Sequence, residues 1–242
     1  MPGNSEHNVT EQTQTSEAER TQPLLRLMVS LHLPAIVLGL GMGATIPVVP
    51  EFAKSFGVGP GQASLVFVAN MLGGLTASIP VGYLLDRFGR RRILLLGPLI
   101  TALAAFLTAT SGSFSEFLIY RYIGGWGTQM WTLSRLSMIA DTHTSGSRGR
   151  MITSMLGIQH VGTLAGPLAG GLLAITFGLK AAFLLQGAMA LVAVVPGLFT
   201  RETAPSGRPR RMGPRDASPD SFSWKSLLAY PIPMMFLAQW LG

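Results

Sequence analysis

Five stretches of the chain, 27–50, 55–85, 93–115, 151–179 and 181–200, contain no Asp, Glu, Lys or Arg, and a sixth, 117–140, contains only Arg121 and Arg135. A bilayer core about 30 Å thick is crossed by roughly 20 apolar residues in a helix, so each interval is long enough to span one. Backbone polar groups in hydrocarbon must be satisfied within the segment, which leaves helices as the natural solution for intervals of this length. The composition agrees: 48% of the 242 residues are hydrophobic and 12% charged, against about 25% charged in an ordinary soluble domain. The expectation is an all-α integral membrane protein with six transmembrane helices.

The organisation follows from what separates these intervals. Residues 1–26 are rich in Glu, Gln, Thr and Ser, with neither an early basic region nor a small-residue cleavage site. They predict a disordered cytoplasmic tail rather than a secretory signal. Residues 27–200 form the six-helix bundle. Residues 201–225 are rich in Pro, Gly, Ser and Arg and lack apolar periodicity, the composition of a basic cytoplasmic linker. At 226–242 a further apolar run begins and is still running at Gly242, which predicts a truncated seventh transmembrane helix.

Eighteen Lys and Arg against eleven Asp and Glu give a formal charge of +7. With the N-terminus cytoplasmic, Arg20, Arg26, Arg87, Arg90, Arg91, Arg92, Arg148, Arg150, Arg201, Arg208, Arg210, Arg211, Arg215 and Lys225 fall inside. Only Lys54 and Lys180 fall outside. This is the positive-inside asymmetry, and it accounts for the charge through topology in a cell membrane, without nucleic acid as a partner. Cysteine is absent, which removes disulfides and thiolate chemistry. An intramembrane inventory of two Arg and two His, with no carboxylate squarely inside a span, offers no catalytic cluster. No enzyme activity, metal or cofactor is expected.

Three segments carry more than topology. Between the second and third spans the sequence reads GYLLDRFGRRR, with Gly82, Asp86, Arg87, Gly89, Arg90 and Arg91 in order. An acid sits where a helix leaves the membrane, a glycine permits a tight reversal, and a basic cluster holds the turn inside. Arg90 is expected to pair with Asp141 at the same end of the fourth span. The fourth span places Arg121 several residues into hydrocarbon, which insertion scales charge about 2.5–3.5 kcal/mol, and glycines follow at 124, 125 and 127. One reading is a functional cation beside closely packed helices; the other is a side chain snorkelling to the outer interface. In the fifth span, Gly162, Gly166 and Gly170 recur four apart with Pro167 and Gly171, which makes one face flat and kinkable.

The pattern G-x-x-x-D-R-x-G-R-R resembles the signature loop of the major facilitator superfamily. The fourth-span R-x-x-x-G-x-G resembles a second motif of that family, and the fifth-span glycines resemble its antiporter motif. The resemblance covers the N-terminal half of such a transporter. It implies two inverted three-helix repeats, which the sequence itself does not reveal, and secondary active transport by alternating access. The antiporter motif implies efflux of a small hydrophobic or cationic compound driven by protons, as in drug:proton antiporters. Asp86 would latch a conformational gate against the C-terminal half, which is missing from this chain. Arg121 would take part in proton coupling. The fifth-span glycines would pack against a helix of that other half.

Other candidates stand with two readings each. His32 and His160 lie within spans and are either proton-coupling groups or hydrogen-bonded packing residues. Arg135 reaches the inner headgroups or lines a substrate path. Trp126, Met130 and Trp131 suit a cavity wall, or face lipid or a neighbouring helix. The alternatives to a complete transporter are a truncated, non-transporting fragment and a half-transporter that needs a second chain.

Overall fold

The structure, a computed structural model, describes residues 32–142 and 145–198. These are helical apart from short turns, with no strand among the described residues. Six long helices follow one another: α1 His32–Lys54, α2 Pro60–Phe88, α3 Arg90–Thr110, α4 Phe114–Thr142, α5 Ser145–Phe177 and α6 Lys180–Leu198. The tail, the linker and the start of a seventh span, which the sequence predicts at 1–26, 201–225 and 226–242, lie outside the described residues.

Five of the helices are long and apolar enough to cross a membrane; α4 is the exception. At 29 residues it has the length, but Arg121, Gln129 and Arg135 dilute its apolar character. Its neighbours compensate. Gly125 faces the main chain of Asn70 and Gly74 on α2, and Gly73 faces that of Tyr122. On the other side, Gly97 of α3 lies against Gly127 and Trp131. With glycine on both partners, α4 packs backbone to backbone between α2 and α3, so its polar side chains meet protein rather than lipid.

The turns follow from local chemistry. The α2–α3 connection is a single residue, Gly89, whose φ of 88° and ψ of 161° suit only glycine. At the start of α4, Ser113 Oγ accepts from the Glu116 N–H at 3.3 Å while Glu116 Oε2 accepts from the Gly112 N–H at 2.9 Å. These bonds satisfy amides that the helix leaves open. In α1 the helix is interrupted by a turn at Ile46 and Pro47. Pro47 has no N–H to continue the ladder, and the Ile46 N–H bonds instead to the Gly43 carbonyl at 3.1 Å.

Two kinds of core hold the bundle. At the α1–α2 end, Phe52, Phe56, Phe117 and Phe183 form an aromatic cluster with ring centroids 5.1–6.2 Å apart. Towards the α2–α3 end, Ala77, Val81 and Leu85 of α2 pack on Ile93 of α3 and Met130 of α4. The helices share unequally in this burial. Of the most apolar stretch of α3, 56% is buried in the bundle, but only 22% for α2 and 17% for α5. Leu75 and Ile79 on α2, and Leu164, Leu168 and Ile175 on α5, are exposed.

Candidate functional site

The interior holds a small, partly open cavity to which all six helices contribute. Leu38 of α1, Asn70 of α2, Thr101 of α3, Arg121 of α4, Gln159 of α5 and Gln186 of α6 are among its walls. Arg121 is the charged residue of the lining and is itself only 8% exposed. Its Nη1 donates to Gln186 Oε1 at 3.2 Å, and its Nε–H is buried without a partner. Asn70 fixes the position, donating from Nδ2 to the Arg121 carbonyl at 3.0 Å. The cation is therefore not snorkelling; the close approach of α4 to α2 keeps it inside.

The threonines of the wall donate inward to their own helices. Thr101, Thr108 and Thr128 bond the carbonyls of Gly97, Ala104 and Gly124 at 2.7–3.1 Å. Their hydroxyl protons are thus committed, and the cavity's positive character rests on the guanidinium.

Arg135 is 1% exposed, about four helical turns further along α4. Its Nη2 donates to Gln159 Oε1, its guanidinium carbon lies 5.6 Å from the centre of the Trp131 ring, and Nε and Nη1 are buried without partners. Arg135 itself is not in the cavity wall, although its partner Gln159 is. Among the described residues no carboxylate forms an ion pair with Arg121 or Arg135.

Of the aromatic and Met candidates, Trp131 lines the cavity. Met130 and Trp126 do not; they pack with Ala77, Val81 and Ile93 in the α2–α3–α4 core. Residues 130 and 131 lie about 100° apart around a helix of 3.6 residues per turn, so one turns to the cavity and the other to the core. Neither His32 nor His160 is in the wall. His32 Nε2 is 3.1 Å from Ser154 Oγ, bridging α1 and α5, and His160 Nδ1 is 2.7 Å from the carbonyl of Leu156 on its own helix.

A second constellation occupies the α2–α3 end. Arg90 Nε donates to Asp141 Oδ2 at 3.0 Å, Arg90 Nη1 is 3.6 Å from Asp86 Oδ1, and Nη1 also reaches the Leu85 carbonyl at 3.3 Å. Arg90 thus joins the end of α2, the start of α3 and the end of α4. Arg91 Nη2 donates to the Leu198 carbonyl at 2.6 Å, a cation at the C-terminal end of α6 where the helix dipole favours it. Arg87 bonds Tyr83 Oη at 3.1 Å. Nothing lies within 4 Å of where a Gly82 side chain would start, so contacts among the described residues do not require a glycine there.

The fifth-helix glycines form a third feature. A methyl group on Gly166 would come within 2.5–2.6 Å of the Gly43 and Ala44 main chain, and Gly162 and Gly170 lie against the main chain of Ile36 and Ala44. Gly39 and Gly43 return the contact against Gln159 and Thr163. This face, which the resemblance assigns to a helix of the other half, is taken by α1 here. The reason is reciprocal: α1 has its own glycines at matching spacing, so the two backbones meet directly. Gly171 has no such neighbour, and Pro167 lies within the helix beside the seam.

The amides Asn70, Gln159 and Gln186 were not singled out from the sequence. Their signal was available as amide side chains inside charge-free spans, which need partners in an apolar medium.

The profile of the Major Facilitator Superfamily matches residues 31–242. The chain is 30% identical over 160 residues to multidrug resistance protein 2 of Bacillus subtilis, covering 66% of this chain and 40% of that protein. It is 26% identical over 180 residues to multidrug resistance protein MdtL of Salmonella typhi, covering 74% of this chain and 45% of that protein. The fold is similar to that of the proton:xylose symporter XylE, with a TM-score of 0.63 at 19% identity over 73% of this chain and 45% of XylE. The chain spans less than half the length of the curated relatives it matches.

Proposed function

Since the chain belongs to the Major Facilitator Superfamily, we propose that it contributes one half of a secondary active transporter that exports a small hydrophobic or cationic compound, driven by protons, through alternating access. The observation that carries this reading is the buried Arg121, without a carboxylate partner among the described residues, in a cavity walled by six helices. Charged groups within a membrane bundle are costly and face substrate or ion paths. The names of the two multidrug resistance proteins support efflux and drug-like substrates.

In this reading the N-terminus is cytoplasmic, because the arginine-rich α2–α3 connection then faces inward. Asp86, exposed beside Arg90, serves the conformational gate, with Asp141 holding Arg90 in place. The α1–α5 seam lets two helices rock as one unit. Arg121 couples substrate to proton movement, with the acid that carries the proton supplied from outside the described spans. His32 and His160, away from the cavity, are assigned packing roles.

The test is export of a lipophilic fluorescent dye from cells producing the complete protein. Faster efflux than in control cells, abolished by a protonophore, is expected. Protonophore-insensitive efflux, or none at normal membrane abundance, overturns the reading.

A second reading, a half-transporter acting with another chain, has one observation in its favour: both α2 and α5 carry exposed apolar residues. Cross-linking in native membranes decides between the two.

A further inference from the structure

We propose that the cavity recognises an anionic head group, a carboxylate or a group of similar charge, on an amphiphilic substrate, and that Arg121 is the residue that binds it. This rests on the transport reading above and narrows its hydrophobic class to amphiphiles with an anionic head group, against the cationic class.

Arg121 is more than nine-tenths buried, lines the cavity, and has an Nε–H with no partner. The second buried guanidinium, Arg135, is joined to the same wall through Gln159. Among the described residues neither has a carboxylate partner: the ion pairs there involve Glu51, Asp86 and Asp141, all at helix ends. A cationic head group entering this space meets an unscreened positive field in a medium of low dielectric. An anionic one removes the cost of the buried cation.

The geometry of the donor suits a carboxylate. A guanidinium presents N–H groups in a fixed planar fork that matches two carboxylate oxygens. One arm of Arg121 is held by Gln186 at 3.2 Å, and its main chain is held by Asn70 at 3.0 Å, so the fork is positioned before any ligand arrives. Much of the remaining wall suits an apolar body, with Leu38, Met42, Pro98, Ala104, Ala105 and Trp131 beside the phenol of Tyr120. The three threonines offer only oxygen acceptors, since their protons are used within α3 and α4. They accept hydrogen bonds from a substrate's own donors but add nothing to anion binding.

The experiment uses the complete protein, purified and reconstituted, with three dansyl probes on one six-carbon scaffold: the carboxylic acid, its methyl ester and the matching amine. Dissociation constants are read from tryptophan-to-dansyl energy transfer, and transport from probe accumulation in proteoliposomes under an imposed proton gradient. The acid is expected to bind about tenfold or more tightly than the amine, about 1.4 kcal/mol. Arg121→Gln should remove that preference while ester affinity stays within about threefold, and Arg121→Lys should retain part of it. If Arg121→Gln does not fold, the order of wild-type affinities and the Arg121→Lys variant carry the test.

Amine binding as tight as acid binding, or acid affinity unchanged in both variants, overturns the proposal. Gradient-driven transport of the amine in preference to the acid also overturns it but leaves the transport reading intact. Acid preference at Arg121 without gradient-driven transport of any probe supports the proposal and sinks the transport reading instead.

Discussion

Arg90 and Arg121 are both mostly buried, yet the bundle treats them differently. At the α2–α3 end, Arg90 sits within 4 Å of two carboxylates, Asp86 and Asp141. In the interior, Arg121 has the amide oxygen of Gln186 and no carboxylate among the described residues. A charge at the rim is neutralised by its own chain, where it ties three helix ends together. The interior charge is positioned by the chain but has no compensating carboxylate among the described residues. The first arrangement builds structure; the second leaves electrostatic work for a ligand or proton to complete.

The largest expected effect separates these two roles. Arg121→Met should lower proton-driven export more than about tenfold at equal membrane abundance. Thermal unfolding should stay unchanged or move up, because replacing an unpaired buried cation by an apolar side chain removes a desolvation cost. A marked fall in unfolding temperature would mean that Arg121 is structural and would erase the contrast.

Gly166→Leu supplies an uncharged control. The side chain would be driven into the Gly43 and Ala44 backbone, and overpacking of this kind costs about 1–3 kcal/mol. Membrane insertion should persist, while export and unfolding temperature fall together. Export lost at unchanged stability would assign the seam a more direct role in transport.

Asp141→Asn should cost about 1 kcal/mol, because the 3.0 Å pair with Arg90 lies at a partly exposed rim. The deficit should shrink as salt is added, measured by unfolding in a salt series. Arg121→Met should show no such salt dependence.

Asp86→Asn gives the smallest stability change, below about 0.5 kcal/mol, since the 3.6 Å contact is exposed and Arg90 keeps Asp141. Its export should nevertheless fall, and a vesicle transport assay beside the unfolding curve checks both. A variant equal to wild type in both measurements would remove Asp86 from the gate.

Much of this was legible in the sequence for a physical reason: hydrocarbon tolerates few charges, so Arg121 and Arg135 stand out against 117–140, and Gly89 marks the reversal between two spans. The Arg90–Asp141 contact could be anticipated because both residues fall at the same membrane edge. What holds the interior arginines was not legible. A search for formal charge passes over Asn70, Gln159 and Gln186, and pairing across 24 or 65 residues depends on how helices dock. Glycine spacing identified a flat face on α5, and the resemblance assigned it to a helix of the other half, whereas α1 lies against it here. Residues 126, 130 and 131 shared a chemical character but not a direction around α4.

The most direct measurement compares wild type and Arg121→Met in energised inverted vesicles, with thermal unfolding of the same preparations. Gradient-driven accumulation that collapses with a protonophore is expected in wild type, with under a tenth of that rate in the variant and no loss of stability. Equal transport by the variant would contradict this: Arg121, buried and without a carboxylate partner among the described residues, would then have no part in moving substrate.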